Sequence, residues 1–178
     1  MSKVFEKLVA RRLSGYLESN NILPPQQFAY RKGLGTCDAL LSITDKLQRA
    51  LDIGGEARVV QIDFSAAFDR VNHAGLLYKL RSVGVGGPVL SIIEEFLTDR
   101  TQRVCVDGCF SRSADVVSGV PQGSVLGPLL FILYIGGLFD LVEIDLFSYA
   151  DDATLVVVVP CPADILVVAE SLNRDVSD

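Results

Sequence analysis

Residues 144–159 constrain this chain more than any other stretch. Tyr149-Ala150-Asp151-Asp152 lies between two apolar runs, 144–149 and 153–159, both rich in β-forming residues, and Pro160 bounds the second. Such runs on either side of a short polar break form a β-hairpin, here with two adjacent carboxylates at its turn. Two unit charges about 4 Å apart repel by roughly 4 kcal/mol at an effective dielectric near 20. The turn therefore either splays its carboxylates into water, as Asp readily does in turns, or holds a cation between them.

A third aspartate bears on that choice. Residues 58–64 read as another strand, with Val59, Val60 and Ile62 as its apolar body and Asp63 near its C-terminal end. An unpaired charge is costly to bury, so Asp63 is either a cap for the turn at Ser65-Ala66-Ala67 or a ligand. If the strands are neighbours in one sheet, the carboxylates of Asp63, Asp151 and Asp152 converge at its edge. Two divalent cations held there activate an attacking hydroxyl and stabilise a leaving phosphate. Hard oxygen ligands favour Mg²⁺, with Mn²⁺ as the alternative.

The rest of the chain reads as α+β. Residues 2–20 form an amphipathic helix with Val4, Phe5, Leu8, Val9, Leu13, Tyr16 and Leu17 on one side. Pro24-Pro25 forces an extended break, and the loop that follows sets Arg31 and Lys32 beside Phe28 and Tyr30. Thr36 is expected to cap a second helix to about Ile53, ended by Gly54-Gly55. A helix over 73–83 places Leu76, Leu77 and Leu80 inward, and Pro88 opens another to about Asp99. Strands over 101–107 and 110–117 meet at Asp107-Gly108, a strong hairpin dipeptide. In the loop 118–124, two glycines and a proline fix the path of the backbone. Ser124 caps an apolar helix to about Glu143, which Gly136-Gly137 is expected to bend or end. A last amphipathic helix starts near Pro162.

Composition limits the function classes. Hydrophobic residues make up 49% and charged residues 21%, which is globular rather than disordered. The net charge of −6 counts against a nucleic-acid binder unless basic parts lie outside the chain. Cysteines at 37, 105, 109 and 161 form no CxxC pair, and His73 is the only histidine, so no zinc site is legible. The cysteines read as buried thiols in a reducing, intracellular compartment. The most apolar stretch, 125–139, is shorter than the roughly 20 residues of a membrane span, so no membrane partner is expected.

Taken together these motifs resemble a known family. Gln61-Ile62-Asp63-Phe64-Ser65-Ala66-Ala67-Phe68-Asp69 resembles the first palm motif of reverse transcriptases, SGVPQGSVLGP at 118–128 their second, and Tyr149-Ala150-Asp151-Asp152 their third. Phe96-Leu97-Thr98-Asp99-Arg100-Thr101-Gln102 and the finger-like Gln27-Phe28-Ala29-Tyr30-Arg31-Lys32-Gly33 are similar to the non-LTR, LINE-like retrotransposon branch. The order and spacing of all of them make the likeness specific, and it covers nearly the whole chain.

The resemblance implies a polymerase palm, a mainly antiparallel sheet packed on helices, with part of the fingers: 1–56 as partial fingers and 57–178 as palm core. It implies an RNA-directed DNA polymerase that uses two Mg²⁺, an RNA template, a DNA primer and dNTPs. Asp63, Asp151 and Asp152 would hold the metals. Backbone amides of Phe64, Ser65, Ala66 and Ala67 would cradle the triphosphate. Phe68 would pack under the nucleotide sugar and exclude a 2′-hydroxyl; without the motif it reads as a core aromatic. Gln122 and Gly123 would line the nucleotide and template pocket, Tyr149 the primer end, and Arg31 the template or triphosphate; His73 is structural. Basic finger segments, the rest of the palm and a thumb would belong to a longer polyprotein, in a nuclear or cytoplasmic setting, so the 178 residues alone would synthesise little. Two alternatives stand beside this: a truncated retrotransposon relic acting at most as an interaction module, and an RNA-templated RNA polymerase, against which Phe68 speaks.

Overall fold

The computed structural model describes residues 2–159. In chain order the elements are helices α1 (Lys3–Ser19) and α2 (Thr36–Asp52), strand β1 (Glu56–Asp63), a 3₁₀ turn (Ala67–Arg70), helices α3 (His73–Ser82) and α4 (Gly87–Leu97), short strands β2 (Thr101–Gln102), β3 (Cys105–Val106), β4 (Cys109–Phe110) and β5 (Ala114–Asp115), helix α5 (Gly127–Ile135), a 3₁₀ turn (Gly136–Asp140), and strands β6 (Asp145–Tyr149) and β7 (Asp152–Val159). The fold is α+β, as expected. The chain forms two compact units, one from residues 1–22 and 66–134, the other from 23–65 and 135–178. The expected helix near Pro162 lies outside the described residues.

The first unit is mostly helical. Ser2 caps α1, its hydroxyl accepting from the Phe5 amide at 3.3 Å, and Asn72 caps α3 through the Gly75 amide at 2.8 Å. Its core includes Leu13, Leu17, Leu76, Leu80, Ile93, Leu97, Leu126 and Leu130. The buried stripe of α1 is Val9, Ala10, Leu13 and Leu17, with Glu6. Val4, Phe5, Leu8 and Tyr16, expected on that stripe, are exposed. Glu6 is buried because its carboxylate accepts from the amides of Val125 at 2.6 Å and Leu126 at 3.3 Å, just ahead of α5. Those amides have no partner within a helix, so a carboxylate there satisfies them.

The expected ribbon between α4 and the 118–124 loop forms as two interrupted ladders, β2 with β5 and β3 with β4. Its turn holds Asp107 and Gly108 at φ of 49° and 79°, the pair of positive values that a type I′ turn demands. Cys105 and Cys109 on this ribbon, and Cys37 at the start of α2, are exposed, which corrects the expectation of buried thiols. The ribbon is solvated on both faces, so its apolar residues mark no core.

The second unit is a three-stranded antiparallel sheet in the order β1-β7-β6, with β7 central. One face buries Leu146, Ala153 and Leu155 against Val60, Ile62, Phe64, Leu138, Phe139, Val142 and Ile144. Helix α2 packs on the sheet, and its Lys46 ammonium meets the Asp145 carboxylate at 2.6 Å. The N-cap of α2 is Gly35 rather than Thr36, because Asp38 reaches back to the Gly35 amide at 2.7 Å. α5 ends at Ile135 and tightens to 3₁₀ through Gly136-Gly137, at the expected break.

Candidate active site

Strand register places two of the three aspartates. Asp63, the last residue of β1, stands opposite Asp152, the first of β7, and Tyr149, the last of β6, stands opposite Asp152 from the other side. Directly opposed residues share a face of the sheet, so Asp63, Asp152 and Tyr149 form a row across all three strands at one end. The next row on that face is Gln61, Thr154 and Phe147. α2 lies over it: Thr36, Ala39, Leu40 and Ile43 enclose with these rows a cavity of about 270 Å³, and Asp152 and Tyr149 line its end. Asp63 and Asp152 are exposed.

Asp151 and Ala150 form the two-residue turn. Ala150 is held at φ 59°, where a side chain is strained by about 1–2 kcal/mol. The sequence gives no glycine here, and the strain is borne by a side chain from far along the chain. Gln27 is fully buried. Its Oε1 accepts from the amides of Ala150 at 3.1 Å and Ala29 at 3.0 Å, and its Nε2 donates to the Ser148 hydroxyl at 3.0 Å and the Ala150 carbonyl at 3.3 Å. The Ser148 hydroxyl also donates to the Ala150 carbonyl at 3.0 Å. Backbone bonds flank the clamp, Phe28 amide to Ser148 carbonyl and Ser148 amide to Gln26 carbonyl, both 3.0 Å. Sequence reasoning had Gln27 only as a letter in a motif; a glutamine in a mixed loop carries no periodicity, and its partners lie 121 and 123 residues away.

The same loop brings Tyr30 to the turn. Burial, then the charge of Asp151, then the Tyr149 phenol push the Tyr30 phenol above its ordinary range, and Tyr30 too has a positive φ, 57°. Arg31 donates to the carbonyls of Pro24 at 2.7 Å and Gln27 at 3.2 Å, which ties the loop that carries the clamp.

Of the remaining site residues, Phe64 and Ser65 belong to the second unit, and Ala66, Ala67, Phe68, Gln122 and Gly123 to the first. Phe64 packs against the sheet core and Ser65 is exposed. Ala66 takes φ 54° and opens the 3₁₀ turn that contains Ala67 and Phe68. The Phe68 ring stacks on Phe131 with centroids 4.2 Å apart. Gln122 donates to the Asp69 carboxylate at 3.0 Å, and the Lys3 ammonium donates to the Gly123 carbonyl. Gly119, at φ 85°, lies so close to Asp69 that a Cβ would stand 2.8 Å from its backbone. The Gly119 carbonyl is met by Arg100 at 3.1 Å and by a His73 ring nitrogen at 2.8 Å, which gives His73 the structural place expected of it.

Two carboxylates paired across a ladder end, with a third in the adjoining turn, are the hard-oxygen donor set that Mg²⁺ or Mn²⁺ takes. Among the described residues no group of three or more His, Cys, Asp and Glu side chains is gathered around one point. Asp151 lies one residue beyond the ladder, so the register aligns Asp63 with Asp152 and leaves Asp151 to the turn.

The profile of the family described as reverse transcriptase (RNA-dependent DNA polymerase) matches residues 1–172. The chain belongs to the reverse transcriptase family. Among its relatives, the probable RNA-directed DNA polymerase from transposon BS of Drosophila melanogaster is 35% identical over 163 residues, 87% of this chain and 18% of that protein. The corresponding protein of transposon X-element is 37% identical over 134 residues, 75% of this chain and 15% of that one. The RNA-directed DNA polymerase from mobile element jockey is 32% identical over 163 residues. These relatives place the chain in the non-LTR retrotransposon branch of the family, and it spans under a fifth of the length of those cited. Telomerase structures from Candida albicans and Candida tropicalis share the fold, with TM-scores of 0.65 and 0.62 over 94% and 97% of this chain, 32% and 36% of theirs, at 15% and 13% identity.

Proposed function

We propose that this chain is the catalytic core of an RNA-directed DNA polymerase, which extends a DNA primer on an RNA template from dNTPs. The observation that carries the reading is the register that sets Asp63 opposite Asp152 at the sheet end, with Asp151 in the turn beside it. Asp63, Asp151 and Asp152 would hold two Mg²⁺ ions, or Mn²⁺ through the same oxygens. When bound, such ions activate the attacking hydroxyl and stabilise the leaving phosphate.

The chemistry is a displacement at phosphorus. The primer 3′-oxygen forms a bond to the α-phosphorus of the dNTP, the bond to pyrophosphate breaks, and the hydroxyl proton departs to solvent. The chain's part is to bind and align. The backbone from Phe64 to Ala67 receives the triphosphate, and Phe68, braced on Phe131, sits under the sugar and selects against a 2′-hydroxyl. Gln122 and Gly123 contact nucleotide and template, Tyr149 the primer end, and Arg31 the template or triphosphate. These roles rest on the resemblance of this chain's motifs to those of reverse transcriptases.

The test is primer extension on RNA after residues 1–172 are grafted in place of the matching segment of the jockey polymerase. Extension that is lost in Asp63→Ala and Asp151→Ala supports the reading. Extension undiminished in either variant refutes the assigned role.

A further inference from the structure

We infer that Gln27 is a positioning residue for the aspartate turn: its amide, by gripping both backbone groups of Ala150, sets Asp151 and Asp152 where they bind divalent cations. This rests on the metal reading above and adds a residue to it.

Ala150 has a strained conformation that its own side chain resists. Its amide is bonded to Gln27 Oε1 and its carbonyl to Gln27 Nε2, so rotation of the turn toward an unstrained φ breaks bonds at both ends of one side chain. Gln27 is fully buried, and its loss takes the acceptor from the amides of Ala29 and Ala150, while the Ser148 hydroxyl and the Ala150 carbonyl keep each other. Ser148 braces the amide from the strand side at 3.0 Å, and Arg31 fixes the loop backbone at Pro24 and Gln27. Glutamine is required rather than glutamate or methionine, because one planar group must accept from two amides and donate to two oxygens. Gln27 itself touches no carboxylate in this arrangement and acts through Ala150.

The test compares wild type with Gln27→Met, which keeps length and removes all four bonds, and Gln27→Glu, which keeps the acceptor and loses the donor. Two quantities are read on the 178-residue chain: amide hydrogen exchange residue by residue, and Mn²⁺ affinity from the paramagnetic resonance of free Mn²⁺. In Gln27→Met, exchange at Ala150 is expected to speed up by about tenfold or more while that at Leu155 is unchanged. The Mn²⁺ dissociation constant is expected to rise by about fivefold or more, with Gln27→Glu between the two. Should Gln27→Met fail to fold, the same comparison is made in an Ala150→Gly background, where glycine removes the strain at that φ. Faster exchange at Ala150 with Mn²⁺ affinity within about twofold of wild type overturns the positioning role, and unchanged exchange overturns the clamp. No Mn²⁺ binding by wild type, or binding undiminished in Asp151→Asn, overturns instead the metal reading beneath it.

Discussion

In the unit of residues 1–22 and 66–134, the loop after Ser118 is fixed by leaving a side chain out. Gly119 takes a left-handed φ, and the Asp69 backbone occupies the space a Cβ would need. In the unit of residues 23–65 and 135–178, the turn at Ala150–Asp151 is fixed by bringing a side chain in. An alanine takes the left-handed φ, and the Gln27 amide, buried, holds it there. The difference extends to charge. Among described residues the first unit has ten Lys and Arg against eight Asp and Glu; the second has five against ten. Attraction for cations therefore belongs to the second unit, and the first is close to balanced. The excess of acid in the described residues thus lies in the second unit, spread along it and including Asp63, Asp151 and Asp152.

Substitutions can break this contrast at several strengths. The largest effect is expected in the grafted polymerase: Asp63→Ala or Asp152→Ala lowers the extension rate by about a thousandfold, equivalent to ~4 kcal/mol of transition-state stabilisation. Gly119→Ala comes next. The left-handed φ and the 2.8 Å approach to Asp69 together cost about 3 kcal/mol, which urea titration of the chain reads as a lower midpoint. Gln27→Ala, its counterpart in the other unit, is expected to cost about 2 kcal/mol, since two buried amides lose their acceptor; the same titration measures it, and hydrogen exchange localises the loss to the turn. Ser124→Ala removes the acceptor of the Gly127 amide at the start of α5, 3.0 Å away, and costs about 1 kcal/mol. Lys46→Ala opens a pair whose side chains are 36% and 42% exposed and shifts stability by at most about 0.5 kcal/mol.

How much of this was legible in the sequence differs between the same two units. The hairpin of β6 and β7 and its partner β1 follow from alternating β-formers and a polar break, because strand pairing buries whole apolar rows. Asp107-Gly108 specified its turn through the backbone conformations that those residues tolerate. The stripe of α1 was misjudged at Val4, Phe5 and Leu8, since periodicity tells which residues share a side and not how far along the helix the core extends. Cys105 and Cys109 were misjudged for a related reason: thiols are usually buried, but β3 and β4 lie in a ribbon without a core; Cys161 lies outside the described residues. That Asp63 stands at the end of a strand, as Asp152 does opposite it, was readable from the apolar runs that the two aspartates interrupt. The Gln27 clamp was not, because an amide that reaches across 121 residues leaves no local pattern; neither did Glu6, whose partners lie at Val125 and Leu126.

The central claim is that Asp63 and the aspartates of the hairpin act together on a divalent cation. Thermal melting of the chain with and without Mg²⁺ tests it most directly, because a ligand that binds only the folded state raises the midpoint, and because like charges directly opposed in a ladder destabilise it when no cation is present. Wild type is expected to melt higher as Mg²⁺ is added. Asp63→Asn is expected to melt above wild type without metal and to gain nothing from it. A Mg²⁺-induced rise of equal size in Asp63→Asn and wild type would contradict the account.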